Sequence, residues 1–361
     1  MKISIIISDI SKTGGTERAV VTLANMLSEK YSNVEILSLT KTEAEKPYYE
    51  VSNKVSIIFF KNEALQSKFL NKVTWSINTV SLLNNYFKEA STDVIISTGH
   101  NYNWLLPFIS SNKNTRRIAC EHIVYSSIPI VSRLFMRLTY RFLDKIVVLS
   151  DVAAQSFYKY SKVVVIPNAI SYGTQIESQL IEKQILLVGR LSPEKGLDRL
   201  IEIASRIKEI FPDWKIIVLG DGPERTLLSE QIEASDLQDF VVLKGAVKDV
   251  QNYYLNSSMY IMTSYFEAFP MVLLEAQSFG LPIVAYDCPE GPRQIIKNNH
   301  NGFLINDGDL NDFVDKISLL IKNKVIRKEF GKHAKNNSIN YSEDKIIERW
   351  ISLFKEMNLY V

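Results

Sequence analysis

A chain of 361 residues is longer than one ordinary core requires and suits two domains. It is 46% hydrophobic and 23% charged, a globular composition, and its two distant cysteines and four histidines suggest neither a disulfide framework nor a Cys/His zinc site. The net charge of +2 hides an asymmetry: residues 1–170 hold 20 Lys+Arg against 13 Asp+Glu, and residues 171–361 hold 22 against 27.

The basic excess of the first half is too modest for nucleic acid and better suits an anionic membrane face. The apolar run Ile3 to Ile7 is too short for a signal peptide, and no apolar stretch is long enough to span a bilayer. We therefore expect a cytoplasmic protein.

Strand-like apolar runs alternate with helix-length amphipathic segments, the pattern of α/β domains with parallel sheets. In chain order, strands are predicted at Lys2–Ser8, Asn33–Leu39, Val55–Phe60, Asp93–Ser97, Arg117–Glu121 and Lys145–Leu149. A short one follows at Val163–Ile166, broken by Pro167-Asn168. Residues 169–183 lack a clear period, hold Gly173, and are read as a linker. The pattern then restarts, with strands predicted at Gln184–Val188, Trp214–Leu219, Phe240–Leu243, Met259–Thr263 and Pro282–Ala285. Helices are predicted at Leu197–Ile210, Arg225–Ala234, Val250–Ser257, Pro270–Phe279 and Asp309–Lys322. Ser342 before Glu343-Asp344 reads as a helix start, and Ile346, Ile347, Trp350, Leu353, Phe354 and Met357 line one side of that last helix. The expected organisation is thus a first domain over 1–168, a second over 184–341, and a last helix, 342–361, that docks on the first domain. Two such α/β units leave a cleft between them, the usual place for a small-molecule site.

Three segments carry chemistry. After the first strand, Gly14-Gly15 opens a helical run, where paired glycines let backbone approach a ligand and a helix start favours an anion. The pair matches neither the spaced dinucleotide fingerprint nor a Walker loop, and a plain turn would also explain it. The second domain opens with Gly189-Arg190-Leu191-Ser192-Pro193-Glu194-Lys195-Gly196, two cations flanking a short loop at a strand's end. Arg supplies a forked donor and Lys a point charge, a good pair for a diphosphate, although both also suit a solvated surface. Third, Glu267 and Glu275 lie eight positions apart, the first at a strand end and the second the only charge in an apolar helix. A carboxylate in such a helix is costly unless something holds it, so a ligand or a neighbouring polar loop must.

Taken together, Gly14-Gly15-x-Glu17-Arg18, Gly189-Arg190…Glu194-Lys195-Gly196 and the pair Glu267/Glu275 resemble the GT-B glycosyltransferases of family 4. The resemblance runs in order over essentially the whole chain. Cys288-Pro289-Glu290-Gly291-Pro292-Arg293 is similar to members that build bacterial surface polysaccharides (capsule, O-antigen) and lipid-linked oligosaccharides.

The resemblance implies two Rossmann-like doubly wound domains and retaining transfer from a nucleotide sugar, UDP the expected carrier, with no metal and no cofactor. Arg190 and Lys195 would bind the diphosphate, with loop amides at Gly14, Gly15 and Gly189 assisting. Glu275 would accept from the ribose hydroxyls. Glu267 would hold the donor sugar beside the amides of Ala268, Phe269 and Met271. Family members carry Gly after the first Glu, where this chain has Ala268. A histidine of the first domain is expected against the donor sugar; His122, after Glu121, fits the family's pattern better than His100. His100, Glu121 and Arg18 remain secondary or acceptor-side candidates.

A basic series, Arg133, Arg137 and Arg141, recurs every four positions with Leu134, Phe135, Leu138 and Phe142 around it. Upstream, Lys61, Lys68 and Lys72 accompany Phe69, Leu70 and Trp75. Basic charge mixed with apolar groups suits the interface of an anionic bilayer, while a helix packed by its apolar side needs no membrane. The expected partners are a nucleotide-sugar donor, a lipid-linked glycan acceptor and the inner face of the plasma membrane. Two other readings share parts of the pattern: a two-domain sugar-nucleotide epimerase, and a non-catalytic nucleotide-sugar-binding partner.

Overall fold

The computed structural model describes residues 1–40, 45–63, 69–160, 162–170 and 176–359, without the side chains of Lys61, Phe69 and Leu70. Lys68 and Gly173 lie outside the described residues. The chain divides into two units, Met1–Ala169 with Glu343–Val361, and Ile170–Ser342.

In the first unit the strands are β1 Lys2–Ile7, β2 Asn33–Thr40, β3 Val55–Asn62, β4 Val94–Ser97, β5 Arg116–Glu121, β6 Lys145–Val148 and β7 Val163–Val165. They form one parallel sheet in the order β3-β2-β1-β4-β5-β6-β7. Alternate residues of each strand point to opposite faces, and both faces are apolar. Ile3, Ile5, Ile96, Ile118 and Val147 pack on one side, Ile6, Ile95, Ala119, Ile146 and Val148 on the other. A sheet buried on both faces must be covered twice by helices, which is why these strands are continuous apolar runs.

The last helix, Glu343–Glu356, belongs to this unit. Ile346, Ile347, Trp350, Leu353 and Phe354 join the core with Ile3, Val20 and Leu27. Phe354 meets the Tyr31 ring edge-on at 5.9 Å, and Glu356 pairs with Lys145 at 3.1 Å. The apolar stripe on this helix is thus spent on the sheet of the first unit.

In the second unit the strands are β8 Gln184–Val188, β9 Lys215–Leu219, β10 Val241–Gly245, β11 Met259–Met262, β12 Ile283–Tyr286 and β13 Gly302–Ile305. They too are parallel, in the order β10-β9-β8-β11-β12-β13. Both sheets are therefore doubly wound, with the order reversing between β1 and β4 in one and between β8 and β11 in the other. Such a reversal sends neighbouring connections to opposite faces and opens a crevice at the strands' C-terminal ends.

The Leu197–Ile210 and Arg225–Ala234 helices have the bounds their periodicity predicts. Among the elements not anticipated are β13 and the helix Lys324–Ser338. β13 is four residues long and follows the polar run Asn298-Asn299-His300-Asn301. The Lys324–Ser338 helix buries Arg327, Phe330, Gly331, Ala334 and Ser338, so its inward stripe is barely apolar and leaves little hydrophobic period. Buried Arg327 donates to the carbonyls of Leu180, Leu320 and Ile321, which explains a cation in that stripe.

Candidate functional site

In the second unit the crevice lies between β8 and β11. The loop after β8 runs from Gly189 through a short turn, Pro193–Lys195, to Gly196 at φ 60°. A Cβ at Gly196 would overlap the Thr263 carbonyl oxygen, so only glycine lets the two loops meet. They are then stitched together. Thr263 Oγ1 donates to the Lys195 carbonyl at 2.8 Å, and the Tyr265 N–H donates to the Glu194 carbonyl at 2.8 Å. Lys195 Nζ reaches Glu267 Oε1 at 2.6 Å, and Ser264 Oγ donates to the same oxygen at 2.8 Å. Arg190 is exposed and makes no ion pair among the described residues. Arg199 lies over the rings of Tyr265 and Tyr286, at 3.8 and 4.7 Å, and pins the start of this loop.

A third segment, residues 288–293, whose structural role the sequence did not give, locks Glu267 from the neighbouring strand. After β12, Glu290 adopts φ 72° and ψ −71°, and the Gly291 N–H donates back to the Pro289 carbonyl at 3.1 Å. This is a γ-turn of the rare positive-φ form, costing about 1–3 kcal/mol. The same N–H donates to the Glu267 carbonyl at 2.9 Å. A Cβ on Gly291 would sit 2.9 Å from that carbonyl oxygen and overlap the Pro270 ring. The only signal in the sequence was Gly291 between Glu290 and Pro292, where glycine tolerates a close backbone approach. Cys288 beside it is buried, which pushes its thiol up to about 12 and leaves it inert.

The two carboxylates have different surroundings. Glu267 is at the loop edge, its side chain 12% exposed, and Ala268 is half-buried beside it. Phe269 and Met271 are buried, Met271 at the start of the Met271–Ser278 helix. Glu275 is 1% exposed within that helix. Tyr254 OH donates to its Oε2 at 3.0 Å, and the Tyr254 ring stacks on Phe279 at 5.1 Å. The carboxylate in the apolar helix therefore has a protein partner that fixes it from one side.

In the first unit the reversal lies between β1 and β4. Gly14 caps the Gly15–Ser28 helix. A Cβ there would collide with the carboxylate of Glu17, which folds back over the helix start and accepts from the backbone of Glu17 and Gly14. Burial nevertheless raises the Glu17 pKa. Gly14 therefore accommodates an internal carboxylate, and an external anion would have to displace it. Gly15 has open space, and Arg18 lies in the next turn.

His100 begins the short His100–Asn103 helix after β4, and its pKa is lowered by burial and by Lys72. His122 follows β5, and burial lowers its pKa to about 4, so the ring is neutral at neutral pH. It lines a cavity of about 20 Å3 with Thr98, Cys120, Asn168 and Trp350, room for about one water. Glu121 does not join it. Strand alternation turns its side chain to the opposite face, where Oε1 accepts from Asn103 Nδ2 at 2.7 Å and from Tyr140 OH. Glu121 is 2% exposed, which removes it from the acceptor-side candidates and from orienting the His122 ring. Asn103 also accepts from Ser97 Oγ at 2.6 Å and donates to the Cys120 carbonyl at 2.9 Å, tying the β4 and β5 ends together.

The basic series is not one continuous face. The helix is Ile130–Thr139, and Tyr140–Phe142 winds as a tighter 3-10 turn, so Arg141 leaves the line of Arg133 and Arg137. Arg133 lies over the Tyr125 ring at 5.5 Å. The apolar residues are what face solvent: Ile130, Val131, Leu134, Phe135, Leu138 and Phe142 are all exposed, while Met136 and Tyr140 are buried. Lys72 is exposed, but Trp75 is a core residue, its indole N–H donating to the Glu63 carbonyl. Among the described residues no helix is long and apolar enough to cross a membrane, and no cluster of three His, Cys, Asp or Glu could hold a metal ion.

Two family models match the chain in succession: Glycosyltransferase Family 4 over residues 13–172 and Glycosyl transferases group 1 over residues 174–337. The amylovoran biosynthesis glycosyltransferase AmsD of Erwinia amylovora is 30% identical, over 97% of this chain and 98% of its own. A Campylobacter jejuni enzyme that adds N-acetylgalactosamine to an undecaprenol-linked glycan is 27% identical over 99% of both chains. Among solved structures, the pneumococcal O-GlcNAc transferase GtfA, in complex with UDP and GlcNAc, superposes with a TM-score of 0.81 over 99% of both chains at 14% identity.

Proposed function

The chain belongs to the family 4 glycosyltransferases, and from that premise we propose that it moves a hexose or N-acetylhexosamine from a UDP-sugar onto a lipid-linked or polysaccharide-precursor acceptor, with retention, in bacterial surface glycan assembly. The observation that carries this reading is the junction of the β8 and β11 loops, where Lys195 pairs with Glu267 at the crevice of a doubly wound sheet and exposed Arg190 lies in the same β8 loop. Relatives named for amylovoran synthesis and for an undecaprenol-linked acceptor support the acceptor class, and a neighbour of the same fold was solved with UDP.

Transfer breaks the bond between the anomeric carbon and the donor's phosphate oxygen, and negative charge grows on that oxygen. Arg190 and Lys195 stabilise it, an electrostatic contribution set in place before reaction. These two cations do the work a divalent metal would otherwise do, so none is required. The acceptor hydroxyl attacks from the face the phosphate leaves, and its proton passes to that phosphate, releasing nucleoside diphosphate. Glu267 holds donor-sugar hydroxyls with help from the amides of Phe269 and Met271, and Glu275 accepts from the ribose. His122, neutral, serves as a hydrogen-bonding partner for the sugar rather than as an acid.

The protein works at the inner face of the plasma membrane. The exposed apolar residues of the Ile130–Thr139 helix, with Arg137 and Arg141 among them, suit the interface of an anionic bilayer. The test is transfer from a panel of UDP-, GDP- and ADP-sugars to undecaprenyl-diphosphate glycans, with the product's anomeric configuration read by NMR. A β-linked product from an α-donor overturns retention, and turnover with GDP-sugars alone overturns the UDP assignment.

A further inference from the structure

The pairing of β11 with β8 stops before either strand ends. The ladder joins Met259 to Ile185 and Tyr260 to Leu186, and goes no further along β8. Two residues on is Val188, the last of the strand, from which Gly189 and Arg190 lead into the loop. Main-chain groups of alternate residues point to the same neighbour, so Val188, like Leu186, faces β11. Gly189 faces the other way, and its N–H donates to the Leu219 carbonyl of β9 at 2.9 Å.

Where β8 and β11 part, the Tyr260 hydroxyl takes the place of the missing ladder. It accepts from the Val188 N–H at 3.2 Å and donates to the Val188 carbonyl at 2.9 Å. Both polar groups of one residue thus meet a single side-chain oxygen, and that side chain is buried. Burial raises the Tyr260 pKa, with the Val188 backbone opposing and Glu267 and Glu275 adding to it, so the hydroxyl keeps the proton it donates. On the β9 side the contact is main chain. A Cβ at Gly220, φ 130°, would overlap the Gly189 carbonyl oxygen. The exit of β8 is therefore held by backbone on one side and by one phenol on the other.

The Tyr260 ring belongs to a column. Tyr254, on the helix Val250–Leu255, lies 6.3 Å from Tyr260 at 26° and 5.1 Å from Phe279 at 7°. Its hydroxyl is the one that donates to Glu275 Oε2. The column thus carries two hydroxyls, one on the backbone behind Arg190 and one on Glu275. Phenylalanine would fill either place, so packing accounts for the rings and not for the oxygens.

We infer that Tyr260 and Tyr254 are positioning residues of the donor site, Tyr260 setting the course of the Gly189-Arg190 loop and Tyr254 the carboxylate of Glu275. The inference rests on the donor roles proposed above for Arg190 and Glu275. Without the Tyr260 oxygen, the Val188 N–H and carbonyl lose their partner and the loop shifts. Arg190 is then misplaced where charge grows most, in the transition state. Without the Tyr254 oxygen, Glu275 keeps its charge but loses its aim, and the loss falls on donor binding.

Tyr260→Phe and Tyr254→Phe each remove one oxygen and keep the ring. Amide hydrogen exchange, resolved to single residues and run without substrate, reads the backbone. Val188 should exchange about tenfold faster in Tyr260→Phe and at the parental rate in Tyr254→Phe, with Leu186 protected in both. Steady-state kinetics with the UDP-sugar that the donor panel identifies reads the site. Tyr260→Phe should lower kcat about tenfold and change donor KM less. Tyr254→Phe should raise donor KM about tenfold and leave kcat nearly unchanged. Unchanged Val188 exchange in Tyr260→Phe overturns the inference, and so do parental kinetics in both variants. Losses in kcat and KM that are alike in the two variants and follow Tm would make the hydroxyls structural only, which also overturns it. A parent that turns over no nucleotide sugar overturns the proposed function instead, and Val188 exchange still decides whether Tyr260 sets the loop.

Discussion

Lys195 and Glu267, 72 residues apart in sequence, form an ion pair of 2.6 Å that closes the β8 loop onto the β11 loop. The pair is largely shielded, with side-chain exposures of 24% and 12%. Each group therefore positions the other before a donor arrives. In the proposed reaction a donor diphosphate would share Lys195 with Glu267, so the carboxylate would both aim the cation and temper its charge.

Removing one partner should then do more than delete one contact. Lys195→Ala should lower kcat/KM by about a hundredfold or more, as loss of a preorganised charge does. Glu267→Gln should lower kcat with a smaller effect on donor KM. The double variant should fall well short of the product of the two effects, since the residues act as a unit. Additive losses in steady-state kinetics would argue that the two work separately.

Glu275 should show the opposite split. Its carboxylate is fixed by Tyr254 and is proposed to hold the donor's ribose, so Glu275→Gln should raise donor KM and leave kcat nearly unchanged. Transfer left intact by both Glu267→Gln and Glu275→Gln would undo the site assignment.

Gly291→Ala tests the turn that pins Glu267. The added methyl meets the Glu267 carbonyl and the Pro270 ring, so one of the two loops must move. We expect a loss of about 1–3 kcal/mol in stability, read as Tm, together with a drop in kcat. A variant with normal Tm and normal kcat would show that the γ-turn at Glu290 is incidental.

The buried groups of the first unit give a signed pH dependence. Burial pushes the Glu121 carboxyl up to about 7 from 4.5, against hydrogen bonds from Tyr140 and Asn103. Its folded pKa is the higher one, so its stabilising contribution is full below 4.5 and is lost as pH rises through 7. His122 runs the other way: lowered by burial from 6.5 to about 4, it contributes above 6.5 and loses that as pH falls through 4. Glu121→Gln should therefore gain Tm relative to the parent progressively between 4.5 and 7. A difference that stays flat across that window contradicts the assignment.

Two conditions address the charge and surface proposals. EDTA should leave transfer unchanged if, as proposed, Arg190 and Lys195 supply the positive charge; loss of activity restored by a divalent cation would refute this. Leu134→Glu with Phe142→Glu should abolish sedimentation with anionic liposomes at unchanged Tm, since those side chains are 58% and 62% exposed. Binding that survives would locate the membrane contact elsewhere.

The sequence by itself determined the two-sheet α/β plan and most strand positions, because burial on both faces writes continuous apolar runs separated by amphipathic helices. It also marked Arg190, Lys195, Glu267 and Glu275, as charged residues at strand ends or in an apolar helix. It did not show β13 or the Lys324–Ser338 helix, whose buried stripe holds Arg327 and Gly331 in place of apolar residues. Nor could it show that Glu17 covers Gly14, that Glu121 turns away from His122, or that Glu290 adopts a strained turn to hold Glu267. Those are decided by which loops the strand order brings together. Periodicity is a property of neighbours along the chain, whereas a pairing across 72 residues exists only once the sheet has placed β8 beside β11.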